Sequence, residues 1–141
     1  MAYAGWLADR EGLPWRLLGE LEWEKAARGV DGRHYPWGDR FDPTFCCVLE
    51  SHEGRPLPAV VDSYPIDESP YGVRGMAGNV ADWCANTWQR DHVGPVEGEG
   101  MRACRGGWWV GSPANARAAM RNRDAPEFRD AILGFRLVRS L

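Results

Sequence analysis

Apolar and polar positions repeat with a helical period only over the first thirty or so residues. In Ala2–Arg10, Tyr3, Trp6 and Leu7 fall at helical spacing and predict a short amphipathic helix, which Gly12 and Pro14 end. The second half of Trp15–Gly29 is rich in strong helix formers. Glu20, Glu22 and Glu24 stand early and Lys25 and Arg28 late, the order a helix dipole favours. Leu21 and Ala26, with Trp23 and Ala27, are spaced to face inward, and Gly29 supplies a C-terminal stop. Beyond it the period breaks. From Val30 to Pro58, Gly32, Pro36, Gly38, Pro43, Gly54, Pro56 and Pro58 interrupt any element, and such a stretch needs something to hold it, commonly a metal or a function. Short strands are predicted at Val60–Tyr64, Val80–Cys84, Met101–Arg105, Ala116–Met120 and Gly134–Arg139, with turns over Asp67–Gly78. Two helices followed by loops and short strands make an α+β protein. No repeat or linker divides residues 1–141, which read as one domain.

Composition adds two features to this pattern. Eight Trp and seventeen Gly suit a loop-rich fold, in which large rings fill space that regular elements leave. The net charge of −3 argues against non-specific nucleic-acid binding, which needs a basic footprint. The charge is uneven, with eight Arg against three acids between Arg102 and Arg139. These arginines are either solvated on loops or part of a face that recognises anions or aromatics. No apolar run approaches the roughly eighteen residues of a membrane span, and no basic-then-apolar leader opens the sequence. Cys46, Cys47, Cys84 and Cys104 demand no disulfide framework in a domain of this length. Reduced thiols in a cytoplasm are expected, with a Cys84–Cys104 link left open if those residues lie on neighbouring strands.

Six segments, in order, resemble the formylglycine-generating-enzyme, or sulfatase-modifying, family. They are Arg16–Gly29 with its Glu-Leu-Glu-Trp-Glu-Lys-Ala-Ala-Arg-Gly; Tyr35–Asp39 (Tyr-Pro-Trp-Gly-Asp); Ser69–Val73; Met76–Trp83 (Met-Ala-Gly-Asn-Val-Ala-Asp-Trp); Arg105-Gly106-Gly107; and Gly134–Val138 (Gly-Phe-Arg-Leu-Val). The resemblance implies a C-type-lectin-like scaffold: two N-terminal helices and many loops with short antiparallel strands. Trp23, Trp37, Trp83 and Phe135 would then supply buried area. Arg136, directed opposite to its neighbours in a strand, would anchor a loop carbonyl or carboxylate. The family usually carries Pro-Thr at Leu18-Gly19, so a Thr helix cap is missing, and Gly replaces it at a cost of a few tenths of a kcal/mol. Family domains are usually longer at the N-terminus, so the chain is expected to be a truncated or C-terminal portion of a longer protein. Phe41–Ser51 and Ser69–Trp83 are most similar to members fused to bacterial Ser/Thr kinases, which makes a kinase domain a candidate partner.

The resemblance does not extend to the family's reaction. The enzymes hold copper on two Cys just after Arg-Gly-Gly, whereas Trp108–Arg117 contains none, so no copper is expected. His34, His52 and His92 lie scattered on predicted loops, and Ser51-His52-Glu53 are neighbours in sequence, whereas catalytic triads are assembled in space. For calcium, the resemblance implies the carbonyls of Gly78 and Val80 and the carboxylate of Asp82, an oxygen set suited to a hard cation. Two departures weaken it: Gly75 stands where Asp or Asn is usual, and Asp82 replaces Glu. The alternative is a loop closed by hydrogen bonds from Asn79 and Asp82.

Between Gly107 and Gly134 remain Trp108, Asn115, Met120, Asn122, Arg123, Phe128 and Asp130, residue types common in binding hot spots. This region also resembles the variable segment of diversity-generating-retroelement proteins. Asn115, Asn122 and Asp130 are reachable by adenine-directed mutation, while Trp108 and Met120 are not. The expected function is a non-catalytic module that takes a protein or peptide ligand on this face. The alternatives are a divergent metal-dependent oxidoreductase of the formylglycine-generating type and a structural or oligomerisation domain.

Overall fold

The computed structural model describes residues 2–139. Helix α1 (Ala2–Glu11) leads to strand β1 (Trp15–Leu17) and helix α2 (Glu20–Arg28), and a single 3-10 turn, Leu49–Ser51, interrupts the loops that follow. Then come β2 (Ala81–Thr87), β3 (Arg102–Arg105), β4 (Asn122–Asp124), β5 (Leu133–Gly134) and β6 (Leu137–Arg139). β1 and β6 form an antiparallel pair, and the other four make a sheet in the order β4-β3-β2-β5. Three of the four strand pairs are antiparallel as expected, and the β2–β5 pair is parallel. Among the described residues no helix is long and apolar enough to cross a membrane.

Helix α2 forms as its sequence indicates. The Glu22 carboxylate accepts from the Gly19 amide at 2.7 Å, and the Gly29 amide closes the other end on the Lys25 carbonyl with φ of +68°. The missing Thr cap has a tertiary substitute: Asn86 Oδ1, from β2, accepts from the Glu20 amide at 2.7 Å, and Asn86 Nδ2 donates to the Gly94 carbonyl. Trp23 and Ala27 face the core as expected, whereas Leu21 is 65% exposed. A residue two positions from Trp23 on a helix points away from it, and the charged side of α2 already faces the sheet there. In α1 only Ala4 is buried, and Tyr3 and Trp6 pack on each other on the outside.

Two of the expected strands are turns. Val60–Tyr64 is a turn in which Asp62 takes φ of +66° and Val60 and Val61 stand in solvent, with no strand beside them to pair with. Ala116–Met120 is a run of turns because Ala116 and Ala118 are the small residues that fit beneath the loop, and the strand begins later, at Asn122. β1 was not expected at all; its three residues pair with β6 through Trp15↔Arg139 and Leu17↔Leu137. Phe135 is half exposed and packs on Tyr3, and Trp37 and Trp83 are only partly buried, so of the four expected core aromatics only Trp23 is enclosed.

The core is two small clusters. One joins Leu18, Trp23, Ala27, Met76, Cys84, Ala103 and Ala118. The other joins Tyr35, Cys46, Val48, Ala77 and Ala116, with Trp37 stacked on Tyr35 at 5.2 Å. This second cluster, rather than regular structure, holds the long Val30–Pro58 loop. At its centre the backbone crosses so closely at Gly78 that a Cβ would lie 2.2 Å from the Cys47 carbonyl oxygen. Between helix and sheet lies a buried ionic group. Arg105, on β3, donates to Glu20 at 3.0 Å, to Glu24 at 2.5 Å and to the Ala118 carbonyl at 2.9 Å. Arg121 completes it with two bonds to Glu20.

Arg105→Met is expected to cost about 3–5 kcal/mol, because it leaves the enclosed Glu20 carboxylate with Arg121 alone while Glu24 keeps only Arg28. In urea unfolding, the Glu20→Met/Arg105→Met double variant should cost less than the two singles together by about 1–3 kcal/mol. Additive losses would show that the two residues do not act on each other.

Candidate functional site

The segment after β3 turns away at Gly106 and Gly107, and a Cβ on Gly107 would lie 2.8 Å from the Asn115 backbone. That contact folds Trp108–Asn115 into a closed loop. The Gly111 amide donates to the Trp108 carbonyl, and the Asn115 carboxamide oxygen accepts from both the amide and the hydroxyl of Ser112 at 2.9 Å. Asn115 is thus spent on its own turn. Trp109 is partly buried, its amide on the Asn79 carbonyl and its indole reaching the Ala131 carbonyl. Trp108 is also partly buried.

Asn122 and Arg123 lie on β4, the outer strand of the sheet, opposite Cys104 and Ala103 of β3. The Arg123 guanidinium lies over the Trp88 ring at 4.0 Å, with Arg121 6.0 Å from the same ring. Met120 precedes this strand and Phe128 follows it, both exposed. Asp130 accepts from the Ile132 amide at 3.1 Å and so helps to hold the approach to β5. The seven residues therefore fall in two places: Trp108 and Asn115 on the loop after β3, the other five on and after β4. The platform residue Trp88 went unread in the sequence, since nothing local links it to Arg123. A cavity of about 410 Å³ between α1, β2 and the 126–137 segment was also missed; its walls include Tyr3, Trp83, Arg129 and Phe135.

Gly78, Val80 and Asp82 do line one cavity, of about 230 Å³, together with Asp67 and Arg136. The Asp82 carboxylate is already engaged there: its Oδ2 accepts from Trp23 Nε1 at 2.9 Å and from Arg136 Nε at 2.5 Å. The Arg136 guanidinium also donates to the carbonyls of Arg74 and Gly75, so it anchors the loop as its place in the sequence implied. Asn79, at φ of +61°, closes the turn by exchanging side-chain bonds with the Ala59 backbone and donating its amide to the Cys47 carbonyl. A cation held by the Gly78 and Val80 carbonyls and Asp82 would share that carboxylate with the Arg136 guanidinium.

Over its whole length, residues 1–141, the chain matches the sulfatase-modifying factor enzyme 1-like domain. It belongs to that family. The inactive C-alpha-formylglycine-generating enzyme 2 of Mus musculus is 33% identical over 99% of the chain. Serine/threonine-protein kinase pkn1 of Chlamydia caviae is 32% identical over 99%, and hercynine oxygenase of Mycobacterium tuberculosis 34% over 96%. The chain spans only 46%, 22% and 33% of those proteins, respectively. Among solved structures, PvdO from Pseudomonas aeruginosa superposes with a TM-score of 0.86 at 28% identity, covering 99% of this chain and 58% of that one. Treponema denticola variable protein 1 gives 0.67 at 30%, covering 87% and 46%.

In this sulfatase-modifying-factor domain the thiols are packed away. All four cysteines are free and buried. Burial pushes Cys46 and Cys104 up to about 12 and raises Cys84 as well, so none of these is a thiolate near neutrality. Cys84 and Cys104 do lie on neighbouring strands, but Cys104 pairs with Trp83, which puts Cys84 on the opposite face. Cys47 touches His52 Nε2 at 3.7 Å, a pairing that adjacent-residue reading of Ser51-His52-Glu53 could not reveal. Burial raises Cys47 too, with Tyr64 opposing.

Asp67 is the most perturbed acid of the site. Burial pushes it up to about 7, against the pull of the Ala77 and Met76 amides and of Arg136. The folded state therefore holds a proton that the unfolded chain releases near pH 4, and stability from this group falls as pH rises from about 4 to about 7. Unfolding free energies of wild type and Asp67→Asn, measured across that range, should differ most in the wild type's favour at the acid end. A difference that stays constant from pH 4 to 8 would contradict the assignment.

Proposed function

We propose that the chain is a non-catalytic binding module whose ligand is a protein or peptide, taken on the face between Gly107 and Gly134. The observation that carries this reading is Arg123 laid on Trp88 at the outer strand of the sheet. Among the described strands β4 pairs only with β3, so its far edge offers main-chain groups to an extended peptide. A guanidinium held over an indole is a preorganised hot spot for an acidic side chain. Met120 before this strand and Phe128 after it are exposed apolar side chains.

The thiols point the same way, because the loop after Gly107 has no cysteine and the chain's four are enclosed. The likeness to a formylglycine-generating enzyme named inactive supports a scaffold used without its reaction. The likeness to a hercynine oxygenase favours an enzyme, but among the described residues no three His, Cys, Asp or Glu side chains converge to hold a metal. The match to a fifth or so of a chlamydial protein kinase supports a module that serves a longer protein, with a kinase domain as one partner.

An array of extended acidic peptides, followed by fluorescence anisotropy on the tightest, tests the reading. Arg123→Ala should raise Kd about tenfold, and Trp108→Ala should raise it less. Equal affinity in wild type and both variants would remove this face from consideration.

A further inference from the structure

We infer that the cavity of about 410 Å³ between α1, β2 and the 126–137 segment is a binding site for a small aromatic carboxylate. It is a site separate from the peptide face and does not rest on that reading. Its walls are mostly apolar, and three of them are rings, Tyr3, Trp83 and Phe135, joined by Leu17 and Leu137. Clefts of this size with apolar and aromatic walls are where small molecules lodge. Some of the rings are left half in water. Tyr3 is 52% and Phe135 49% exposed, with their centroids 5.7 Å apart, and Trp6, 5.4 Å from Tyr3, is 50% exposed. A run of exposed rings beside a cleft marks a surface that a ligand covers. Tilted and edge contacts with Tyr3 and Phe135 suit an aromatic guest better than an aliphatic one.

The charge of the lining decides the other end of the ligand. Among the described residues Arg102 and Arg129 are the charged side chains of the cavity, and no acid lines it. Arg102 is fixed: its Nη1 donates to the carbonyls of Ala85 and Val96 and its Nη2 to that of Gly98, so it contributes a held positive charge. Arg129 is exposed and forms no hydrogen bond or ion pair among the described residues, which leaves its donor fork open. The acids beside it in sequence are placed elsewhere. Asp130 accepts from the Ile132 amide, and Glu127 lines a different cavity. Two guanidinium groups at an apolar cleft without an acid attract an anion, and arginine grips a carboxylate with two parallel bonds. A ligand with its ring against the aromatic walls and its carboxylate on Arg129 satisfies both halves of the site.

Calorimetric titration with indoleacetate, and with neutral indoleacetamide of the same shape, tests the site. Indoleacetate should bind with a Kd below about 1 mM and the amide about tenfold more weakly. Arg129→Met keeps an unbranched stem and removes the charge. It should bring indoleacetate to the affinity of the amide and leave the amide itself unchanged. Tyr3→Ala removes a half-exposed ring that the fold does not enclose, and should weaken both compounds severalfold. Absence of saturable indoleacetate binding at millimolar concentration would overturn the inference. So would equal wild-type affinities for the two compounds, or an Arg129→Met variant that still prefers the anion. Binding that ignores Tyr3→Ala would place the compounds outside this cavity and equally end the proposal.

Discussion

Everything around helix α2 depends on one fully enclosed ion pair, Arg105 with Glu20, exposed by 0% and 1%. Burying two charges is costly, and the cost falls as the remaining polar valences find partners. Glu24 on α2, and the Ala118 carbonyl and Arg121 from the segment before β4, provide most of those matches, while Arg105 Nε is left without a partner. The pair therefore fixes more than a distance. It sets the rotation of α2 against β3, the entry of the chain into β4, and, through Arg121 bonds to the carbonyls of Arg90 and His92, the loop after β2. Arg105 also lies 5.4 Å from the Trp23 ring, and Trp23 passes the connection on to Asp82 and Arg136.

The same logic explains how so irregular a chain stays ordered. Backbone groups outside ladders still need partners once buried. Here they are met by side chains: Asp67 by accepting from two amides, Asn86 by capping α2, Asn79 by pairing with Ala59, and Arg102 by donating to the carbonyls of Ala85, Val96 and Gly98. The concentration of arginine after Arg102 is thereby accounted for in large part. Arg102, Arg105, Arg121 and Arg136 are internal anchors, and Arg123 lies over the Trp88 ring at the sheet's edge.

The legible parts of the sequence were those governed by local rules. The glycine caps of α2, its charge order and the inward Trp23 and Ala27 followed from helix chemistry alone, and the Ala81–Thr87 and Arg102–Arg105 strands lay near where apolar runs placed them. Val60–Tyr64 misled because β-branched residues mark a strand only when a neighbour strand is available. Ala116–Met120 misled because alternation of small and large residues also describes a turn packed over a tight core. Of the seven residues assigned to the binding face, Asn115 and Asp130 turned out to hold their own loops, a use of short polar side chains that composition does not separate from recognition.

The sequence by itself determined the family, through six short segments kept in order, and determined that Trp108–Arg117 holds no thiol. It did so because motif residues such as Gly78, Gly107 and Trp23 answer steric demands that admit few substitutes. Only the tertiary structure decided what the charged residues do. Whether Asp82 faces a cation or Arg136, and whether Arg123 lies on water or on Trp88, depends on groups 54 and 35 positions away along the chain, as 136 − 82 and 123 − 88 show. Electrostatic partners are set by distance in space, and no local pattern of residues records it.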